Sequence, residues 1–236
     1  MPKLVDRTER REEVLEATWR LMARVGIDRV SIREIAAEAG YSTGVIAHYF
    51  RNKDDVLLSA LRLLNSQEVE RVERATAGLR GLTALQAAIG EVLPVGNERK
   101  LEMTVWMSFW GRAVGDASLA TFQRRSYGEW CSLLRGHFEE AVADTELPHD
   151  LDCADEAART AALIDGLSIQ AMLEPERMTA RKVVDIMDSH LRSFAARERH
   201  SRPGGGPEQL TSRLLQERRR PPRVNFVHCE DTQNPL

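Results

Sequence analysis

Between Ser31 and Lys53 the residue types suit the non-covalent reading of an anionic duplex. The run is 31-SIREIAAEAGYSTGVIAHYF-50, followed by Arg51, Asn52 and Lys53. On a short helix starting at Thr43, the residues Thr43, Gly44, Val45, Ala47, His48 and Tyr49 would face outward, and small side chains there let a helix backbone approach base edges closely. Val45 or Thr43 suits a thymine methyl, and His48 or Thr43 suits a base edge or a phosphate. Donors for phosphates stand around this patch: Ser31, Arg33, the Tyr49 hydroxyl and Lys53, the last beside a helix start whose free N–H groups attract anions. Plainer roles compete. Ser31 and Ser42 are equally explained as helix caps, Tyr49 as a half-buried packing residue, and Glu34 and Glu38 as capping or solvated charges.

A second group is aromatic. Trp106, Phe109, Trp110 and Ala113 share one helix face by their spacing, as do Tyr127, Trp130, Leu134 and Phe138. Such faces serve either as packed core or as the wall of a ligand pocket. With an acid nearby, an aromatic cage suits a quaternary amine. Glu102, Asp116, Glu129 and Asp165 are the candidate acids. Asp165 interrupts the apolar run ALIDGLSIQAML and needs a partner, of which a cap-like or cross-interface hydrogen bond is the simplest. The candidate ligand set is therefore Trp106, Phe109, Trp110, Tyr127, Trp130 and Asp165.

Catalytic patterns are lacking. There is no HExxH, no pair of Glu-x-x-His motifs for a carboxylate-bridged metal site and no phosphate-binding glycine loop among residues that include six histidines, and the GxSxG spacing of Gly40 to Gly44 falls between two helical patterns rather than on a strand-to-helix turn. His137 and Glu139 read as a surface pair. Cys131, Cys153 and Cys229 match no metal-ligand spacing. No catalytic residue, metal or cofactor is expected.

The elements that must position these groups are helical throughout, so the fold class is all-α. Helices are expected over about 8–25, 31–40, 43–50, 53–77, 82–93, 98–114, 117–145, 153–173 and 179–198. Val14, Ala17, Thr18, Leu21, Met22 and Val25 form the apolar stripe of the first, which Gly26 ends. The second has the clearest start. Ser31 caps it, Glu34 completes a capping box, and Val30 and Ile35 form a hydrophobic staple. It ends at Gly40, and Ser42 caps the third. Ala36 and Ala39 permit a close crossing, while Ile35, Ile46 and Phe50 form the apolar wedge of a helix-turn-helix. The expected division is a three-helix domain over 1–53, a helical ligand-binding and dimerisation domain over 54–199, and a Pro- and Gly-rich tail over 200–236. The tail is expected to be disordered, apart from a possible short basic helix from Leu210 to Arg220.

Net charge is −3, unevenly shared. Residues 1–53 carry ten basic and eight acidic groups, the rest 23 and 28, so the amino-terminal part is at +2 and the remainder at −5. That sign suits a nucleic-acid partner, yet the excess is too small to carry the reading alone. No apolar run approaches the roughly 20 residues that span a bilayer, and the charged amino terminus resembles no targeting peptide. A cytoplasmic protein with no membrane partner is expected.

The helix-turn-helix, ending in His48-Tyr49-Phe50 and followed by Lys53-Asp54-Asp55-Val56-Leu57, resembles the DNA-binding domain of the TetR family of bacterial repressors. The segment Ser42 to Phe50 is most similar to the BetI-type branch. The likeness continues in Trp106-Met-Ser-Phe109-Trp110 and Leu163-Ile-Asp165-Gly166-Leu167, covering roughly 8–195. The resemblance implies a homodimeric repressor released from a palindromic double-stranded DNA operator by a small-molecule effector. It implies DNA contacts by Ser31, Arg33, Ser42, Thr43, Gly44, Val45, His48, Tyr49 and Lys53. Many relatives carry a tyrosine where this chain has Ala47, which shifts weight onto Tyr49 and Lys53. The dimer is expected to form through the last two helices, by Ala157, Ala158, Ala161, Ala162, Gly166 and Ala171 on one and Val183, Ile186, Met187, His190, Leu191 and Phe194 on the other. A helical protein-interaction module, or an enzyme without DNA binding, is the alternative.

Overall fold

A computed structural model describes residues 3–197, with side chains over 7–194. The tail, its possible basic helix and Cys229 lie outside the described residues. Within them the chain forms α-helices and one short 3-10 turn, with no strand. The helices are α1 (Lys3–Val25), α2 (Ile32–Ala39), α3 (Thr43–Tyr49), α4 (Lys53–Thr76), α5 (Gly81–Val92), α6 (Asn97–Ala113), α7 (Ala117–Ala143), α8 (Cys153–Leu173) and α9 (Ala180–Arg197). α1 begins five residues earlier than its apolar stripe predicts, because the polar first turns hold no periodic signal.

The joints of the first three helices follow from local chemistry. Gly26 has φ 81° and ψ 152°, a backbone that only glycine adopts freely. The turn Ile27–Arg29 follows and buries Ile27. At Ser31 the capping box is complete: the Glu34 N–H donates to the Ser31 hydroxyl, and the Ser31 N–H donates to the Glu34 carboxylate at 2.9 Å. Gly40, left-handed at φ 73°, closes α2 with the Tyr41 N–H on the Ala36 carbonyl at 2.8 Å, a Schellman arrangement. Ser42 then caps α3 by accepting from the Val45 N–H.

Two apolar cores result. The first joins α1, α2 and α3 to the first half of α4 and to α6, through Val14, Met22, Ile35, Ile46, Phe50, Leu61 and Phe109 among others. The second is built by α5, α7, α8 and α9 around Leu85, Leu134, Phe138, Ala161, Met187 and Phe194. α4 runs roughly 36 Å at 1.5 Å per residue, long enough to start beside α3 and end in the carboxy-terminal body.

Part of the expected dimer surface is used inside the protomer. Ala157, Ala161 and Ala171 of α8, with Val183, Met187, Leu191 and Phe194 of α9, are buried in the second core. Periodicity reports that a stripe is buried, and the same stripe serves a neighbouring helix or a partner subunit. Ala158, Ala162 and Gly166 do face outward, while Ile186 and His190 are half-buried.

Candidate nucleic-acid interface and ligand cavity

α3 has only seven residues, and its orientation depends on what it buries. Ile46 is 1% exposed and Phe50 4%, both in the first core against α1 and α2. The opposite side is thereby turned outward. Thr43, Gly44, Ala47 and His48 are exposed with Ser42, and Val45 and Tyr49 are half-buried. The expected phosphate donors fare differently. Arg33 is exposed and makes no ion pair or hydrogen bond among the described residues. The Ser31 hydroxyl is engaged within the capping box, donating to Glu34 at 2.7 Å. Lys53 is half-buried and its ammonium donates to the Asp28 carbonyl at 3.1 Å. Tyr49 packs edge-on to His48, ring centres 5.2 Å apart.

The sequence reading missed Arg7. From the first turns of α1 its guanidinium donates to His48 Nε2 at 2.9 Å, across 41 positions. Arginine has no acceptor, so Nε2 takes the acceptor's part in this contact. Arg11, one turn further, sits 5.2 Å over the Phe50 ring. α1 therefore brings cationic side chains to the rim of the α3 face.

A cavity of about 350 Å³ lies in the body. α4 contributes Asn65, Glu68, Val69 and Val72; α6 contributes Met103, Trp106 and Trp110; α7 contributes Gln123, Tyr127, Glu129 and Trp130; α8 contributes Ile164 and Asp165. Five of the six expected ligand residues meet here. Phe109 does not. It is fully buried behind the wall, edge-on to Trp106 at 5.8 Å and to Phe122 at 5.7 Å, and so holds Trp106 in place. Of the other candidate acids, Asp116 is the cap of α7, and Glu102 is buried between Arg71 at 2.8 Å and Arg99 at 2.7 Å. Glu129 lines the cavity while pairing with Arg125 at 2.9 Å.

The cavity's own acids are unusual. Within the protomer Asp165 accepts from the Tyr127 hydroxyl at 3.0 Å, and burial pushes its carboxyl above the ordinary range against that bond. Glu68, missed by the sequence reading, accepts from the Trp106 indole N–H at 3.1 Å. Removal from water, then repulsion by Glu102, raises it from 4.5 to about 7, against the Trp106 bond and the charges of Arg71 and Arg99. Its setting in NSQEVERVER reads as a solvated helix, and Trp106 of α6 lies against it and leaves it half-buried.

With this geometry in place, comparison with known proteins is decisive. The profile described as bacterial regulatory proteins, tetR family, matches residues 14–60, and that described as BetI-type transcriptional repressor, C-terminal, matches 81–196. The HTH-type transcriptional regulator PksA of Bacillus subtilis is 30% identical over 84% of this chain and 96% of its own length. The chain belongs to the TetR family of transcriptional regulators. Its body is of the BetI type: the regulator BetI of Escherichia coli is 34% identical over 73% of this regulator and 87% of its own length. A putative transcriptional regulator from Saccharomonospora viridis, solved in complex with choline, is 28% identical, with a TM-score of 0.71 over 82% of this chain and 97% of that one. These relatives are transcriptional regulators, not enzymes. Among the described residues no helix is long and apolar enough to cross a membrane.

Proposed function

We propose that this regulator is a homodimeric, cytoplasmic repressor that binds a pseudo-palindromic double-stranded DNA operator and is released when a small-molecule effector fills the cavity. One observation carries the reading. α3 is fixed by Ile46 and Phe50 so that Thr43, Gly44, Ala47 and His48 face outward, with Arg7 against His48 and Arg33 exposed in the first turn of α2. Thr43, Gly44, Val45 and His48 read base edges at the amino-terminal end of a helix in the major groove. Ser31, Arg33, Ser42, Tyr49 and Lys53 hold phosphates, Lys53 by leaving the Asp28 carbonyl. Residues 1–53 act as the DNA-binding domain and 54–199 as the ligand-binding and dimerisation domain.

Release follows from α4. Its first half is packed into the core that seats α3, and its second half lines the cavity with Glu68, Val69 and Val72. A ligand against those residues biases the tilt of one rigid rod. In a dimer, that changes a recognition-helix spacing that must match about 34–36 Å. The coupling expected is about 1–3 kcal/mol, roughly 5–150-fold in DNA affinity. A relative solved in complex with choline supports a small-molecule effector. The outward stripe Ala158, Ala162 and Gly166 of α8, with exposed Leu173 and with Val184 of α9, supplies the dimer face.

The test is gel-shift titration with the DNA upstream of the protein's own gene, with unrelated DNA as control. A salt-sensitive, sequence-selective complex is expected from the full chain. His48→Ala combined with Tyr49→Ala should lose that complex and remain dimeric by light scattering. Equal binding to all DNA would count against an operator-reading face.

A further inference from the structure

The charges of the cavity wall restrict what can enter it. Its lining includes Glu68, Glu129 and Asp165 and no lysine, arginine or histidine. Arg71 and Arg99 stand near Glu68 but are paired with Glu102 and Glu91. Glu129 is held by Arg125. Glu68 and Asp165 are left as two half-buried carboxyl groups on the cavity wall, each with a single protein donor, Trp106 Nε1 or the Tyr127 hydroxyl. One oxygen of each therefore has no donor among the described residues. Further along the same wall, Gln123 Oε1 and Trp110 Nε1 are shut from solvent without a protein partner among the described residues. Atoms shut away as those of Gln123 and Trp110 are would normally be hydrogen-bonded, and leaving them unmet is costly, while the free carboxylate oxygens open onto the cavity.

Each ligand class meets these needs differently. An anion is repelled by both acids. A neutral apolar molecule leaves every orphan atom unmet. A quaternary ammonium supplies charge and can lie against the aromatic faces of Trp106, Trp110 and Trp130, but its nitrogen carries no hydrogen and satisfies neither free carboxylate oxygen. An ammonium that bears N–H groups does both, because charge-assisted hydrogen bonds to carboxylates are shorter and roughly twice as strong as neutral ones.

Resting on the effector reading above, we propose that the effector is a protonated primary or secondary amine with an apolar tail, its N–H groups taken by Glu68 and Asp165. The tail lies along Val69, Val72 and Ile164, and a donor or acceptor elsewhere on the molecule meets Gln123 or Trp110. The unfavourable setting of both carboxyl groups fits this assignment, since an incoming cation restores the solvation that burial removed.

The experiment uses the full chain and the fluorescence of its cavity tryptophans. Each member of a graded panel is titrated: straight-chain and phenylalkyl primary amines, their N,N,N-trimethyl counterparts, and the matching alcohols and carboxylates. At least one amine should quench saturably, about tenfold or more tighter than its trimethyl counterpart, with alcohols weaker and carboxylates silent. Glu68→Gln and Asp165→Asn should each cost the best amine about tenfold or more, with an unchanged circular dichroism spectrum as the folding control. Tighter binding of the trimethyl compounds, a preference for alcohols or carboxylates, or no amine bound at all overturns the proposal. Operator binding by the same preparation, without ligand, separates the two readings. Its loss sinks the repressor function, whereas operator binding without an amine preference sinks only the ligand class.

Discussion

Glu68→Gln should make the protein more stable, and by an amount that grows with pH. The native carboxyl is raised from 4.5 to about 7 by removal from water and by Glu102. A carboxyl with a raised native pKa binds its proton more tightly in the folded chain. Its contribution is therefore most favourable below 4.5, is lost progressively as pH climbs to about 7, and stays lost above that. At about 1.4 kcal/mol per pH unit the full penalty is about 3 kcal/mol, reached by pH 8.5, while about 1 kcal/mol of it is already present at pH 5.5. Glutamine keeps an acceptor for the Trp106 N–H but adds an amide whose own hydrogens need partners, a fixed cost of about 1 kcal/mol. That cost cancels when two pH values are compared. Urea unfolding at one protein concentration should show the variant gaining on the parent by about 2 kcal/mol between pH 5.5 and 8.5. Parallel profiles, or a variant that loses ground at pH 8.5, would refute the assignment of a strained acid to the cavity wall. A stability penalty at a ligand-facing group is what a site kept for binding is expected to carry.

Three further predictions concern other parts of the molecule. Ile46→Ala removes the main anchor of a helix too short to stand alone and should cost about 2–5 kcal/mol in urea unfolding, with loss of DNA binding at sub-denaturing urea. Glu102→Gln leaves Arg71 and Arg99 with only the longer ion pairs to Glu91 and, for Arg99, Glu98. It should cost about 3 kcal/mol and bring Glu68 down towards its ordinary range, visible as a flatter pH–stability profile. Arg7→Ala should weaken DNA binding and reduce the magnitude of its salt slope by about one, without moving the unfolding midpoint, because Arg7 is exposed and its one hydrogen bond among the described residues is to exposed His48.

What the sequence disclosed was local. The Ser31–Glu34 box, the Gly40 end of α2 and the Ser42 cap are set by residues within four positions of one another, and all three stand as expected. The outward side of α3 was legible because Ile46 and Phe50 could only point inward. Long-range consequences of packing were not. Arg7 meets His48 across 41 positions of sequence, and Glu68 leaves water only because Trp106 of α6 comes to lie against it. Phe109 and Trp106 have indistinguishable sequence signatures, yet one fills the core and the other faces the cavity. The α9 stripe could serve a protomer or a partner equally well, and it serves the protomer.

The claim on which all else depends is that α3 reads a duplex as one of a symmetric pair. Selection of genomic fragments by the purified full chain, followed by footprinting of the tightest, tests it directly. Two protected, inverted half-sites centred about 10 base pairs apart, or a multiple of that, are predicted, with protection lost in the His48→Ala, Tyr49→Ala double variant. Recovery of fragments without a shared inverted repeat, or an unaltered footprint in that variant, would contradict the account.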